Sequence, residues 1–206
     1  MAAPAHKSPL LLAEEDGKPV VVGWIASALR ALAAPDDALT RAALATNFAW
    51  ERATPSARAL GLTRIAEVYR GVRGIVLGSH KHFAATTRPA CEALFRTRDI
   101  PPAYAIYGDR VYFTPAFAPF DPATGRGFGP LCRAAMVLHE AVHLVDPRSG
   151  EEAVHVSEWD EPRFSSLDPA AQLSNPSAYA SFAAQVHERA LAWPREARFG
   201  AGNPAR

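Results

Sequence analysis

Residues 130–147, with the sequence PLCRAAMVLHEAVHLVDP, decide how the rest of the chain is interpreted. Apolar residues recur in this stretch at the spacing of one helix face, which predicts a helix from Leu131 to Asp146. Pro147 follows directly and ends that helix, because proline has no backbone N–H with which to continue it. The apolar face consists of Leu131, Ala135, Leu138, Val142 and Val145.

The helix carries an H-E-x-x-H motif at residues 139–143, HEAVH. His139 and His143 are one turn apart on the same face, so both can bind a single zinc ion. Glu140 lies between them and is predicted to act as the general base on a zinc-bound water. The motif therefore predicts Zn²⁺ as the cofactor and hydrolysis as the chemistry.

A catalytic zinc site needs a third protein ligand and one position open to water. Asp146 follows His143 by less than a turn, so it is expected to accept a hydrogen bond nearby or simply to end the helix. The metzincin pattern would require a histidine at position 149, which is Ser149, and that family is excluded. The candidates in the following loop are Glu151, Glu152, His155, Glu158, Asp160 and Glu161.

Two further segments resemble the aspzincin metallopeptidases, the deuterolysin and lysine-specific endopeptidase family. Residues 175–183, NPSAYASFA, are similar to the Asn-Ala-Asp-(Ser/Thr)-Tyr-x-x-(Phe/Tyr)-Ala stretch of that family. Residues 110–117, RVYFTPAF, resemble the strand and turn that precede its zinc helix. Together with the H-E-x-x-H motif, the resemblance covers roughly residues 65–190 and implies a zincin-like metallopeptidase.

The resemblance also bears on the third ligand. The family uses an aspartate in Gly-Thr-x-Asp-x-x-Tyr-Gly, about a dozen residues after the second histidine, and this motif is missing here. His155 fits the spacing, because it lies 12 residues after His143 and 24 before Tyr179. Imidazole is a good zinc ligand, so His155 is the predicted third ligand. Glu158 and Asp160 remain as alternatives.

The closing segment offers two further candidates. Tyr179 is a candidate catalytic residue, since its phenol could stabilise charge on the substrate, although a core aromatic is an equally good interpretation. Asn175 is expected to cap the last helix rather than to take part in catalysis.

The remaining pattern predicts an α+β fold, with a helical N-terminal part, a small β-sheet, the motif helix and a C-terminal helix. Residues 1–18 are interpreted as a polar tail, and 19–200 as one domain with a helical part (19–99) and a zinc-site part (100–200). A β-hairpin is predicted at 104–113, around a Gly108-Asp109 turn. The other predicted helices are 23–34, 38–49, 55–77, 86–95 and 176–193.

Composition limits the classes of partner. The 206 residues carry a net charge of +1, which argues against a nucleic-acid-binding surface. No stretch is long enough to span a membrane, and the N-terminus lacks the features of a signal peptide. A cytoplasmic location, or export without a cleavable signal, is therefore expected. The many alanines and arginines are typical of a GC-rich bacterial genome.

The predicted partner is a peptide or protein substrate of a zinc metallo-endopeptidase. Acidic residues predominate between 140 and 168, which favours a substrate with basic side chains, although a solvated acidic loop explains them equally well. The edge of the small sheet that contains residues 110–114 is expected to pair with an extended peptide. The alternative function is a non-catalytic zinc-binding interaction or regulatory module. Cys91 and Cys132 are expected to be free, buried thiols.

Overall fold

Helices account for most of the chain in the computed structural model, which describes residues 7–78, 80–119, 127–149, 155–157 and 160–190. The helices that precede the sheet or interrupt it are α1 Pro9–Leu12, α2 Lys18–Leu32, α3 Ala38–Phe48, α4 Pro55–Leu77 and α5 Arg88–Phe95. Those that follow are α6 Pro130–Val145, α7 Glu161–Ser166, α8 Pro169–Ser174 and α9 Pro176–His187. Short 3₁₀ turns occur at Trp50–Arg52, His80–His82 and Pro147–Ser149.

Several helices begin with the same chemistry, a polar N-cap followed by proline. The Thr54 hydroxyl accepts a hydrogen bond from the backbone of Ala57 at 3.2 Å, and Pro55 opens α4. Asn175 accepts one from the backbone of Ser177, also at 3.2 Å, which confirms the predicted cap of α9. Such caps satisfy backbone donors that the first helical turn leaves without partners.

The prediction of a polar tail is wrong for the described residues that precede α2. Helix α1 continues through a π-helix, Ala13–Gly17, directly into α2. Leu12 is only 3% exposed because this segment packs against α6. Gly17 permits the close approach, since a Cβ there would lie 3.0 Å from a methyl group of Val137. Apolar residues on one face of this acidic stretch thus belong to the core.

The predicted helices are present, with shifts of a few residues at their ends. Helix α2 begins earlier than expected, at Lys18, and the closing helix ends at His187, before the predicted end near residue 193. The segment 147–168, predicted to be a loop, contains helix α7. The α+β fold class is confirmed in its coarse form.

One small sheet is present in the described part of the chain. It consists of β1 Phe83–Ala85, β2 Ala103–Ala105 and β3 Val111–Phe113. Strand β3 lies in the middle, parallel to β1 and antiparallel to β2. The predicted hairpin is therefore confirmed, with Gly108 in its turn at a φ of 77°, whereas β1 was not predicted.

The sheet that contains residues 110–114 has its outer edges on β1 and β2. Strand β3 has a hydrogen-bonded neighbour on each side, so its own edges are occupied. The free edge beside α6 belongs to β2, which packs against that helix. The outer edge next to α6 is therefore that of Ala103–Ala105.

Helix α6 occupies the centre of the fold, in contact with α2, α4, α9 and the π-helix. Among the largest fully buried side chains around it are Trp24, Phe48, Tyr69, Tyr179 and Phe182. Cys91 and Cys132 are both free and buried, as predicted. Within the described ranges, no helix has the combined length and hydropathy that a membrane crossing requires.

Candidate metal centre

Helix α6 directs the two motif histidines to one side of the core. Its opposite face is buried, with Leu138, Ala141 and Val142 fully inaccessible to solvent. His139 and His143 lie on the edge of that face and are partly buried. Their rings are 5.1 Å apart between centroids.

His155 completes a cluster of three imidazoles. The Nε2 atom of His155 lies 3.1 Å from Nε2 of His143, which in turn lies 3.3 Å from Nε2 of His139. One ring nitrogen from each of the three residues falls within 4.8 Å of the others. The structure thus brings together the three residues that were predicted from the sequence to be metal ligands.

The spacing of these nitrogen atoms fits a single transition-metal ion. Three nitrogen ligands about 2.1 Å from a tetrahedrally coordinated ion lie roughly 3.4 Å apart. The two Nε2–Nε2 distances, 3.1 and 3.3 Å, are close to that value. Imidazole nitrogens bind zinc, copper, iron and nickel, so the set of donors suits this group of metals. His155 is exposed, which leaves one side of the cluster open.

The other nitrogen of each helix-borne histidine has its own hydrogen-bond partner. The Nδ1 atom of His143 is hydrogen-bonded to the backbone carbonyl of Ser149. Nδ1 of His139 lies 3.2 Å from the hydroxyl of Ser177 at the start of α9. When Nδ1 carries the proton and donates it, the lone pair of Nε2 points to the centre of the cluster. Both contacts orient the rings, and the Ser149 carbonyl, which can only accept, also fixes the tautomer of His143 that a metal requires.

The segment that carries His155 is anchored by a buried amide. The Nδ2 atom of Asn175 donates to the backbone carbonyl of Val156 at 2.8 Å, and Asn175 is fully buried. Val156 itself is 4% exposed. Asn175 therefore has two functions, because the same side chain caps α9 and holds the residue next to His155.

Burial lowers the pKa of both motif histidines. The pKa of His139 lies well below its usual value, through burial and then the positive charge of the neighbouring imidazoles. The pKa of His143 falls to about 4, again chiefly through burial. Both rings are therefore neutral near pH 7, which is the form that binds metal ions.

Glu140 and His139 both line the wall of one cleft. Burial raises the pKa of this carboxyl to about 8, and a hydrogen bond from the backbone of Ala105 in β2 partly opposes the rise. The predicted general base is thus desolvated and located between the motif helix and the free strand edge.

Tyr179 is not one of the described residues that line this cleft. Its ring is fully buried, and its hydroxyl donates to the carbonyl of Leu173 at 2.9 Å. The ring meets Phe48 edge to face, with centroids 5.2 Å apart. Of the two interpretations of Tyr179, the structure favours the core aromatic over the catalytic residue.

Asp160 is the one alternative ligand whose side chain the structure describes. Asp160 is not part of the cluster, and its carboxylate contacts Arg163 at 3.4 Å. Glu158, Glu151 and Glu152 lie outside the described residues, as does the side chain of Glu161. Among the residues that the structure describes, His155 is therefore the third member of the cluster.

Asp146 has a structural role at the end of α6. Its carboxylate accepts a hydrogen bond from Arg64 of α4 at 2.6 Å, and both side chains are largely buried. It also accepts a hydrogen bond from the backbone of Arg148 at 3.1 Å. This matches the expectation of a helix-end residue, and it fixes the start of the turn that presents the Ser149 carbonyl to His143.

Sequence patterns did not identify Ser149 and Ser177 as functional residues. Neither serine is part of a spaced motif, and only their positions in the folded chain bring them to the histidines.

Comparisons of this chain with protein-family models, curated proteins and solved structures found no match. The resemblance to the aspzincins therefore rests on the motifs in the sequence.

We expect the wild-type chain to bind about one zinc ion, and His155→Ala to lose most of this binding. The measurement is the metal-to-protein ratio after dialysis against zinc and then against buffer. The matched control is His187→Ala, because His187 is also exposed but lies on α9 outside the cluster. Full retention of zinc in His155→Ala would contradict the assignment of the third ligand.

Asn175→Ser is expected to weaken zinc binding roughly tenfold, because serine can still cap α9 but cannot reach the Val156 carbonyl. Competition with a fluorescent chelator measures the affinity. Asn47→Ser is the control, since Asn47 is equally buried and its amide donates to Gln185 at 2.8 Å, away from His155. It should lower stability while the zinc affinity stays at the wild-type value. Equal zinc affinities in the two variants would refute the anchoring role.

Because Glu140 is desolvated, we expect Glu140→Gln to be more stable against unfolding than the wild type, by a margin that grows with pH. A chelator keeps both proteins free of metal during the measurement. Unfolded Glu140 ionises near the ordinary glutamate pKa of 4.5, whereas in the folded chain it holds its proton up to about pH 8. The unfolded state therefore binds fewer protons in this interval, and the wild type loses stability as the pH rises. Urea unfolding at pH 5 and pH 8 should show the advantage of the variant growing, by an amount on the order of a few kcal/mol. The histidines contribute equally to both proteins, so an advantage independent of pH would exclude a desolvated Glu140.

Proposed function

We propose that the protein is a zinc-dependent metallo-endopeptidase of zincin-like type. The observation that carries this proposal is the convergence of the three imidazole Nε2 atoms beside a buried carboxyl group. A helix-borne H-E-x-x-H motif next to the free edge of a small sheet supports the zincin-like interpretation and the resemblance to the aspzincins.

His139, His143 and His155 would hold the zinc ion. When bound, zinc supplies Lewis-acid chemistry, since it lowers the pKa of a coordinated water and polarises a carbonyl group. The chain contributes neutral imidazoles whose orientation is fixed by Ser149 and Ser177. It also contributes an open side at the exposed His155, where a substrate can approach.

Glu140 is proposed as the general base. Its carboxylate would take a proton from the water whose oxygen attacks the peptide carbonyl carbon. The same proton would then pass to the amine nitrogen as the C–N bond breaks. The positive charge of a bound zinc ion would favour the ionised form of this carboxyl group, which is the form that accepts the proton.

Strand β2 would align the substrate by main-chain pairing. The backbone groups of Pro102 and Ile106 are hydrogen-bonded to the β3 side, each at 3.0 Å. Since backbone groups alternate sides in an antiparallel pair, those of Ala103 and Ala105 face the opposite edge. This edge borders the cleft that contains Glu140. An extended peptide paired there would pass in front of the carboxyl group.

The test is hydrolysis of a mixed library of internally quenched peptides by the zinc-loaded chain and by Glu140→Gln. We expect the variant to bind zinc as the wild type does and to lose activity by roughly 10³-fold, because proton transfer is removed while the ligands remain. Glu67→Gln, the same change on an exposed position of α4, is the control. Full activity in Glu140→Gln would refute the mechanism, and a zinc-loaded wild type that cleaves nothing would favour the non-catalytic module.

A further inference from the structure

The cleft beside the metal centre has a volume of about 260 Å³ and is walled mainly by small apolar residues. Strand β2 contributes Ala103, helix α6 contributes Ala135 and Met136, and helix α9 contributes Ala180. These alanines are at least nine-tenths buried, so the cleft is formed by closely packed elements. His139 and Glu140, the residues of the proposed reaction, also line this cleft.

Polar groups in the cleft are few. Among the described residues that line it, the polar side chains besides His139 and Glu140 are Ser157 and Ser177. Ser177 is already within 3.2 Å of the His139 ring. The wall residues that the structure describes therefore include no acidic side chain other than Glu140 for a cationic group to pair with.

The acidic residues between 140 and 168 do not compensate for this within the described structure. Asp146 forms an ion pair with Arg64, Asp160 contacts Arg163, and Asp168 caps helix α8. None of these three aspartates lines the cleft. They serve helix ends and ion pairs, not recognition of a basic substrate.

We propose that this cleft receives an apolar side chain, of the size of leucine, methionine or phenylalanine, from the residue next to the scissile bond. The inference rests on the proposed function and replaces the expected preference for basic side chains. The transfer of an apolar side chain from water to these walls is favourable, whereas a lysine ammonium would lose its hydration and meet, among the described wall residues, no carboxyl group other than Glu140.

Two small hydroxamates test the preference through binding, independently of catalysis. Each chelates zinc, and they differ only in the side arm, which is a leucine-like isobutyl group in one and a lysine-like aminobutyl group in the other. Calorimetry on the zinc-loaded chain should show the isobutyl compound binding at least about tenfold tighter. Equal binding, tighter binding of the aminobutyl compound, or no binding of either would overturn the inference.

Met136→Glu provides a gain-of-function test with a matched control. Met136 is partly exposed and glutamate has a similar length, so the helix can accommodate the change. The variant should lose most of the tenfold preference, because the new carboxylate can pair with the ammonium group. Leu60→Glu is the control, since Leu60 is 74% exposed on α4 and should leave the preference unchanged. A preference that Met136→Glu leaves intact would show that the side arm lies elsewhere.

Cleavage mapping on the peptide library separates the inference from the proposed function. Apolar residues on one consistent side of the cleaved bond would support both. Cleavage next to lysine or arginine would overturn the apolar preference and leave the peptidase standing. Selective binding of the isobutyl compound without cleavage of any peptide would support the cleft's preference and overturn the peptidase.

Discussion

The burial of one face of α6 is the constraint on which the rest of the structure depends. Helices α2, α4 and α9, together with the π-helix and strand β2, all pack against this one helix. Because its inner face is closed to solvent, the histidines at the edge of that face have one direction available. They point into the space between α9 and the segment of His155, and the cluster of three histidines forms there.

Two nitrogen–nitrogen distances in the cluster are 3.1 and 3.3 Å, and neutral imidazoles whose lone pairs face each other at such a distance repel one another. Bringing the rings together therefore costs free energy, especially for the two partly buried rings on α6. The protein offsets part of this cost by giving Nδ1 of His139 and of His143 a fixed partner. Asn175, at the start of α9, orders the segment of His155, because its amide donates a hydrogen bond to the Val156 carbonyl. Residual repulsion of this kind favours the binding of a positive ion.

The cleft also shows how charge counted along a sequence differs from charge at a site. Acidic residues are frequent in the motif-containing part of the chain, yet those that the structure describes are largely engaged with arginines and helix N-termini. Small side chains on three different elements build the space next to Glu140 instead. The chemical character of the cleft therefore follows from the residues that face it and not from the local composition.

Much of the site and fold could be predicted from local patterns. The helix of residues 139–143, the caps at Thr54 and Asn175, and the hairpin all follow from short-range rules of spacing and hydrogen bonding. The prediction of His155 as a ligand depended on the ligand spacing of the aspzincin family. The burial of residues 9–17 and the strand β1 had no such signal, because a short segment acquires its structure from the elements that it packs against.

By itself, then, the sequence determined the motif helix, its two histidines and Glu140, since one helical turn suffices to set their mutual geometry. Only the tertiary structure decided which atoms orient the imidazoles, which strand edge faces the carboxyl group, and that the adjoining cleft is apolar. Ala103, Ser149 and Ser177 are distant from one another in sequence and carry no pattern. Their chemistry arises from long-range packing around α6, which local rules do not encode.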